Sequence, residues 1–159
     1  MTERQGPMGD DFMYSKKEIP DNLKAFMPSQ VIIDNPYVTM WYHPDTKIVH
    51  HKIHKFIFGD AFQDLLLSGT EVLRKNGAQK WLSDDRFNSV LKKEDLEWSE
   101  TQWAPATAKA GWKFWAIVQP EKVLGQVAMQ RLIDKYASLG VTAKIFADPD
   151  EARRWLEKQ

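Results

Sequence analysis

The sequence predicts an α/β fold: a mixed sheet of four to five strands with helices mainly on one face, in the order ββαβαβαβα. Three observations lead there. Segments rich in β-branched and aromatic residues flank Pro44-Asp45-Thr46, the pattern of a hairpin. Beyond it, extended segments alternate with stretches of helical apolar spacing, which calls for a largely parallel sheet with an antiparallel edge. Finally, Phe114, Trp115, Ala116, Ile117 and Val118 run apolar without alternation, as in a strand covered on both faces.

Taken in order, residues 1–30 carry Pro7, Pro20, Pro28, Asp10-Asp11 and Lys16-Lys17 with no sustained period, and read as a flexible N-terminal arm. Phe12, Met13 and Tyr14 before those lysines suit incidental apolar residues of a solvated tail better than a surface anchor. A single domain follows over residues 31–158. Residues 31–33, 37–42 and 47–57 are extended, separated by Asn35-Pro36 and His43-Pro44-Asp45. Asp60 precedes a helix with Phe62, Leu65, Leu66, Val72 and Leu73 on one stripe, Gln63 completing an Asp-x-x-Gln cap and Gly77 as its stop. Gly69 in its middle costs about 1 kcal/mol relative to alanine, so its expected use is a close approach to a neighbour.

Residues 80–85 form the next strand, and residues 92–109 a weaker helical stretch interrupted at Pro105 and ended by Gly111. After the strand at 113–119, residues 121–139 make a helix with Leu124, Ala128, Leu132 and Leu139 on one stripe and Gly140 as its stop. Residues 141–146 are the last strand. Asp148-Pro149-Asp150-Glu151 then opens the closing helix with an N-cap, a proline in the first turn and acidic residues behind it.

Composition excludes several classes. With 22 basic and 22 acidic residues in 159, no summed field draws the molecule to nucleic acid, and none is expected as a partner. The absence of cysteine removes disulfides, thiol nucleophiles and thiolate metal sites, and suits a reducing cytoplasm. No apolar run reaches the roughly 18 to 20 residues of a membrane helix, and the first residues lack a secretory layout, so a soluble cytoplasmic protein is expected. Seven tryptophans point to a filled core, a pocket or an interface.

Candidate chemistry concentrates in three places. His43, His50, His51 and His54 sit around the hairpin, but His50 and His54 on one strand lie roughly 13 Å apart, too far to share a zinc ion. Surface histidines are expected, with no metal or other cofactor. Ser83-Asp84-Asp85-Arg86 ends a strand inside the parallel sheet, where ligands bind in open α/β folds. Neighbouring carboxylates alternate in direction, so at most one faces the crevice while the other caps a turn or pairs with Arg86 or a lysine. Trp98, Trp103 and Trp112 complete the expected ligand or partner contacts, because Trp98 and Trp103, five apart on a helix, cannot both centre one buried stripe. No catalytic residue is assigned. The dinucleotide, phosphate-loop, nucleophile-elbow and zinc-protease signatures are all missing.

Lys80-Trp81-Leu82-Ser83-Asp84-Asp85-Arg86, Glu94-Asp95-Leu96-Glu97-Trp98, Ala116-Ile117-Val118-Gln119-Pro120 after Gly111, and Phe146-Ala147-Asp148 with Glu151-Ala152 and Trp155-Leu156 resemble small bacterial proteins of the STAS-like superfamily. These are similar in fold to the anti-sigma-factor antagonists and are grouped with CRAL-TRIO lipid carriers. The resemblance spans residues 31–158 and implies a sheet backed by helices. It also implies, in the best-known members, a serine switch in an Asp-Ser-small-Gly turn, which this chain lacks. The functional expectation is a non-enzymatic regulatory or protein-interaction domain, with homo-oligomerisation left open. One alternative is a carrier holding a small apolar or lipid-like ligand against Trp98, Trp103, Trp112 and Leu124. Another is a hydrolase that uses Asp84 or Asp85 with a histidine held within about 2.6 to 3.2 Å.

Overall fold

The computed structural model describes residues 27–121 and 125–159. Most of the expected arm lies outside the described residues, as does Leu124. Six strands, β1 (Gln30–Asp34), β2 (Val38–His43), β3 (Ile48–Ile53), β4 (Lys80–Asp84), β5 (Phe114–Val118) and β6 (Thr142–Phe146), lie side by side in chain order. β1 to β3 pair antiparallel, and β3 to β6 pair parallel. The α/β class therefore holds, with one strand more than the four to five expected. The extra strand is β1, which covers the extended segment at 31–33 that the expected order ββαβαβαβα leaves uncounted, and whose register shifts between Val31 and Ile33. The hairpin falls at the expected place: Lys47, with φ 58°, turns the chain and its N–H donates to the His43 carbonyl at 2.7 Å.

Among the described residues there are five helices: α1 (Asp60–Asn76), α2 (Lys93–Trp98), α3 (Ala104–Lys109), α4 (Gln126–Ala137) and α5 (Pro149–Glu157). Ser99–Trp103 forms a π-helical turn that joins α2 to α3, so Pro105 does not interrupt the stretch. The proline sits in the first turn of α3, and the wider π turn relieves the clash its ring would make with the preceding turn. The cap of α1 also differs from expectation. Asp60 is the first helical residue, Gly59 at φ 61° precedes it without a side-chain cap, and the Gly59 N–H instead donates to the buried carboxylate of Asp95 at 3.0 Å. Gly77 ends α1 in the left-handed conformation, as the sequence requires. α4 begins at Gln126, later than the periodicity suggests. α5 opens as read, Asp148 accepting from the Asp150 N–H at 2.8 Å.

Side chains alternate along each strand, and so divide the core in two. On one face Met40, Val49, Ile53, Trp81, Trp115 and Ile117 pack under α1, α3 and α4 through Phe62, Leu65, Leu73, Trp103 and Tyr136. On the other, Ile48, Leu82, Ala116 and Val118 pack with Ala152 and Leu156 of α5, flanked by Phe114, Phe146 and Trp155. Most of the indoles are indeed internal filler. Trp112, 1 % exposed, has ring neighbours in Trp81, Trp103 and Trp115 at 5.9, 5.0 and 5.2 Å between centroids. Gly69 admits the Trp81 ring against the backbone of α1, where a β-carbon would overlap it. Among the described residues, no helix is long and apolar enough to cross a membrane.

Candidate functional site

The parallel strands β3, β4 and β5 end together, and the chain leaves β4 through Asp84 and Asp85 into a turn closed by the Asn88 N–H donating to the Asp85 carbonyl at 2.9 Å. Between this sheet end, α1, α2 and α4 lies a cavity of about 590 Å³. Its walls are largely apolar, with Ile53, Leu66, Trp103, Trp115, Ile117 and Leu132 among them. Asp85 and His51 meet at its floor.

The strand pleat sends the two adjacent carboxylates to opposite sides of the sheet. Asp84 turns toward the α5 face, where it is 3 % exposed and holds Arg86 through two bonds, Nε at 2.8 Å and Nη2 at 2.7 Å. That carboxylate raises the pKa of the guanidinium. Asp85 turns to the cavity face and accepts from His51 Nε2 at 2.8 Å. The tautomer follows from chemistry: the Trp81 indole N–H, a donor only, points at His51 Nδ1 at 3.0 Å, so Nδ1 accepts and the imidazole proton resides on Nε2. Both ring nitrogens are thereby engaged.

The remaining indoles of the site are satisfied inside the protein. Trp115 Nε1 donates to Ser83 Oγ at 2.8 Å, and Trp103 Nε1 to Thr70 Oγ1 at 2.9 Å. Two buried polar atoms at the cavity have no hydrogen-bond partner among the described residues, Asn88 Nδ2 and Gln119 Oε1. The Asn88 amide is oriented by its own Oδ1, which accepts the Ile57 N–H at 2.9 Å. At the mouth, Lys135 pairs with Glu100 at 2.9 Å, whereas Arg131 is exposed on α4. Tyr136 lines the wall, and its phenol pKa is pushed up by burial first and by Glu100 second.

Comparison of the chain with protein-family models, with curated proteins and with solved structures finds no match.

The expected contact residues thus separate. Ser83, Asp85 and Trp103 line the cavity; Asp84 and Arg86 stand on the far side of the sheet. Trp112 is sealed in the core, and Trp98 packs edge-on against Phe62 at 6.4 Å between centroids without reaching the cavity. Sequence reasoning passed over Asn88 and Gln119, left Trp115 out of the contact set, and paired Asp84 or Asp85 with a histidine without singling out His51. The expectation of four surface histidines is corrected for His51, which is 2 % exposed because β3 is an inner strand covered on both faces. A signal for it existed in the alternation of Val49, His51 and Ile53, which puts the imidazole on the apolar side of the strand. His43 and His50 form a separate pair, 3.0 Å apart, beneath Trp41 and on the opposite face from His51. His54 binds Thr39 Oγ1 at 2.8 Å. Among the described residues, no three His, Cys, Asp or Glu side chains converge as metal ligands.

Proposed function

We propose that this protein is a non-enzymatic binding domain that holds a small, mainly apolar molecule in the cavity at the carboxyl ends of β3, β4 and β5. The observation that carries the reading is the largely apolar cavity of about 590 Å³ with the His51–Asp85 pair in its lining. That volume and lining are those of small-molecule sites, which span about 300 to 1,000 Å³. Its position at the carboxyl ends of parallel strands is where open α/β sheets receive ligands. The aromatic-pocket reading is thus favoured over the purely protein-interaction one. Trp103 and Trp115 supply its aromatic wall, in place of the expected set containing Trp98 and Trp112.

The hydrolase reading has its required distance, 2.8 Å between Asp85 and His51, yet the imidazole has no free nitrogen with which to take a substrate proton. That is why His51 is read as a positioning residue for Asp85. The STAS-like assignment is part of the same proposal, supported by one sheet backed on one face by α1, α3 and α4. A ligand-dependent regulatory role then fits a domain without the serine switch.

Titration with the neutral apolar dye N-phenyl-1-naphthylamine tests the reading. Saturable binding near one dye per chain is expected, with quenching of tryptophan fluorescence. Ala128→Trp, which places an indole at the exposed cavity mouth, reduces dye affinity by about tenfold or more. Unchanged binding in that variant, or none in the parent protein, overturns it.

A further inference from the structure

The bonding state of the cavity floor says which chemical end of a ligand belongs there. The ring N–H donors around it are already spent: the indole N–H groups of Trp81, Trp103 and Trp115 go to His51, Thr70 and Ser83, and the imidazole N–H goes to Asp85. The charged group that remains is an acceptor. Asp85 uses one carboxylate oxygen for His51 and keeps the other, and Gln119 Oε1 is buried without a partner. Against these stand neutral donors, Asn88 Nδ2 and the hydroxyls of Ser83, Ser89 and Tyr136 in the cavity lining.

The cations nearby do not reverse this balance. Arg86 is held by Asp84 across the sheet, and Lys135 is held by Glu100. Arg131 is exposed on α4, where water screens it, while the Asp85 side chain is only 19 % exposed and stands among apolar walls that strengthen its field.

We propose that the cavity selects molecules whose inserted end is a hydrogen-bond-donating cation, an amine or amidine on an apolar body, and that Asp85, oriented by His51, is the group that recognises it. The inference rests on the cavity-binding reading above. An ammonium N–H reaches the free oxygen of Asp85 and leaves further protons for Gln119, whereas a carboxylate end would oppose Asp85 charge to charge.

Three probes of one shape decide it: 4-phenylbutylamine, 4-phenylbutanol and 4-phenylbutanoate, titrated calorimetrically into the full-length chain at pH 7.5. The amine is expected to bind about tenfold tighter than the alcohol, with the carboxylate weakest, as suits one charged hydrogen bond. Asp85→Asn keeps an oxygen for the His51 N–H, so the fold is retained. In this variant the amine-to-alcohol ratio is expected to fall to about one. If the carboxylate binds best, if amine and alcohol bind alike, or if the ratio survives Asp85→Asn, the charged-end proposal is wrong while the cavity reading stands. If neither the alcohol nor the dye binds, both fall.

Discussion

The indole ring of Trp81 lies against the backbone of Gly69, closer than any β-carbon would permit. The contact brings α1 down onto β4, and the ring has nowhere to retreat. Trp103 meets it edge-on at 5.3 Å between centroids, Trp112 stands at 5.9 Å, and its own N–H is bound to His51. Gly69→Ala therefore opposes two effects. Helix propensity gains about 1 kcal/mol, while forcing a methyl group into a packed core costs about 1 to 3 kcal/mol or more. Overlap with an immobile ring puts this site at the upper end, so a net loss of about 1 to 2 kcal/mol is expected from urea unfolding. A variant as stable as the parent would show that the ring can shift.

Asp84 supplies the second prediction. Its side chain is 4 % exposed and its charge is answered by Arg86, itself 34 % exposed. Arg86→Met strands a buried carboxylate, which in a fully enclosed pair costs about 3 to 5 kcal/mol. With Arg86 partly in water, about 2 to 3 kcal/mol is expected. The double variant Asp84→Leu/Arg86→Met removes the stranded charge and is expected to be more stable than Arg86→Met alone. If the double variant is the weaker of the two, the pair does more than neutralise a buried charge.

His50 carries the pH dependence. Burial, reinforced by His43, His51, Arg153 and Lys52, lowers its pKa from the usual 6.5 to about 3. The unfolded chain therefore binds a proton between about pH 6.5 and pH 3 that the folded chain refuses. This contribution to stability is complete above pH 6.5 and is lost as the pH falls toward 3. Its slope is at most about 1.4 kcal/mol per pH unit. His50→Gln is expected to flatten that part of the stability profile, measured by urea midpoints at successive pH values. An unchanged slope would assign the acid sensitivity to other groups.

Local signals were legible where one residue type serves one geometry. Gly77 at positive φ, the Asp148-Pro149 helix start and the Pro44-Asp45 turn all appear where the residues demand them. The division of labour between Asp84 and Asp85 was legible too, because strand pleat alone separates neighbours. Partner identity was not. Whether the carboxylate meets a histidine at all depends on which strand adjoins β4, and His51↔Ser83 is a register fact that no single segment contains. In the same way Asp95 caps α1 from 36 residues away, where the chain offers Asp60 and Gln63 as nearer candidates. Trp98 and Trp103 were placed by their spacing on a helix, but the π turn at Ser99–Trp103 changes the angle between them.

The last prediction concerns the tautomer that orients Asp85. Because the Trp81 N–H can only donate, it imposes an acceptor at His51 Nδ1 and a proton at Nε2, the one facing Asp85. Long-range proton–nitrogen correlation spectra of the ¹⁵N-labelled protein are expected to show a protonated Nε2 and an unprotonated Nδ1 for His51. Trp81→Phe keeps most of the ring volume and removes the donor. A buried acceptor is then unpaired, a loss of about 1 to 3 kcal/mol in urea unfolding, and the imidazole is no longer confined to one tautomer. If His51 in the parent protein carries its proton on Nδ1, the chain from Trp81 through His51 to Asp85 does not exist as drawn. Asp85 would then lose its positioning partner, and the orientation of its free oxygen toward the cavity would need another cause.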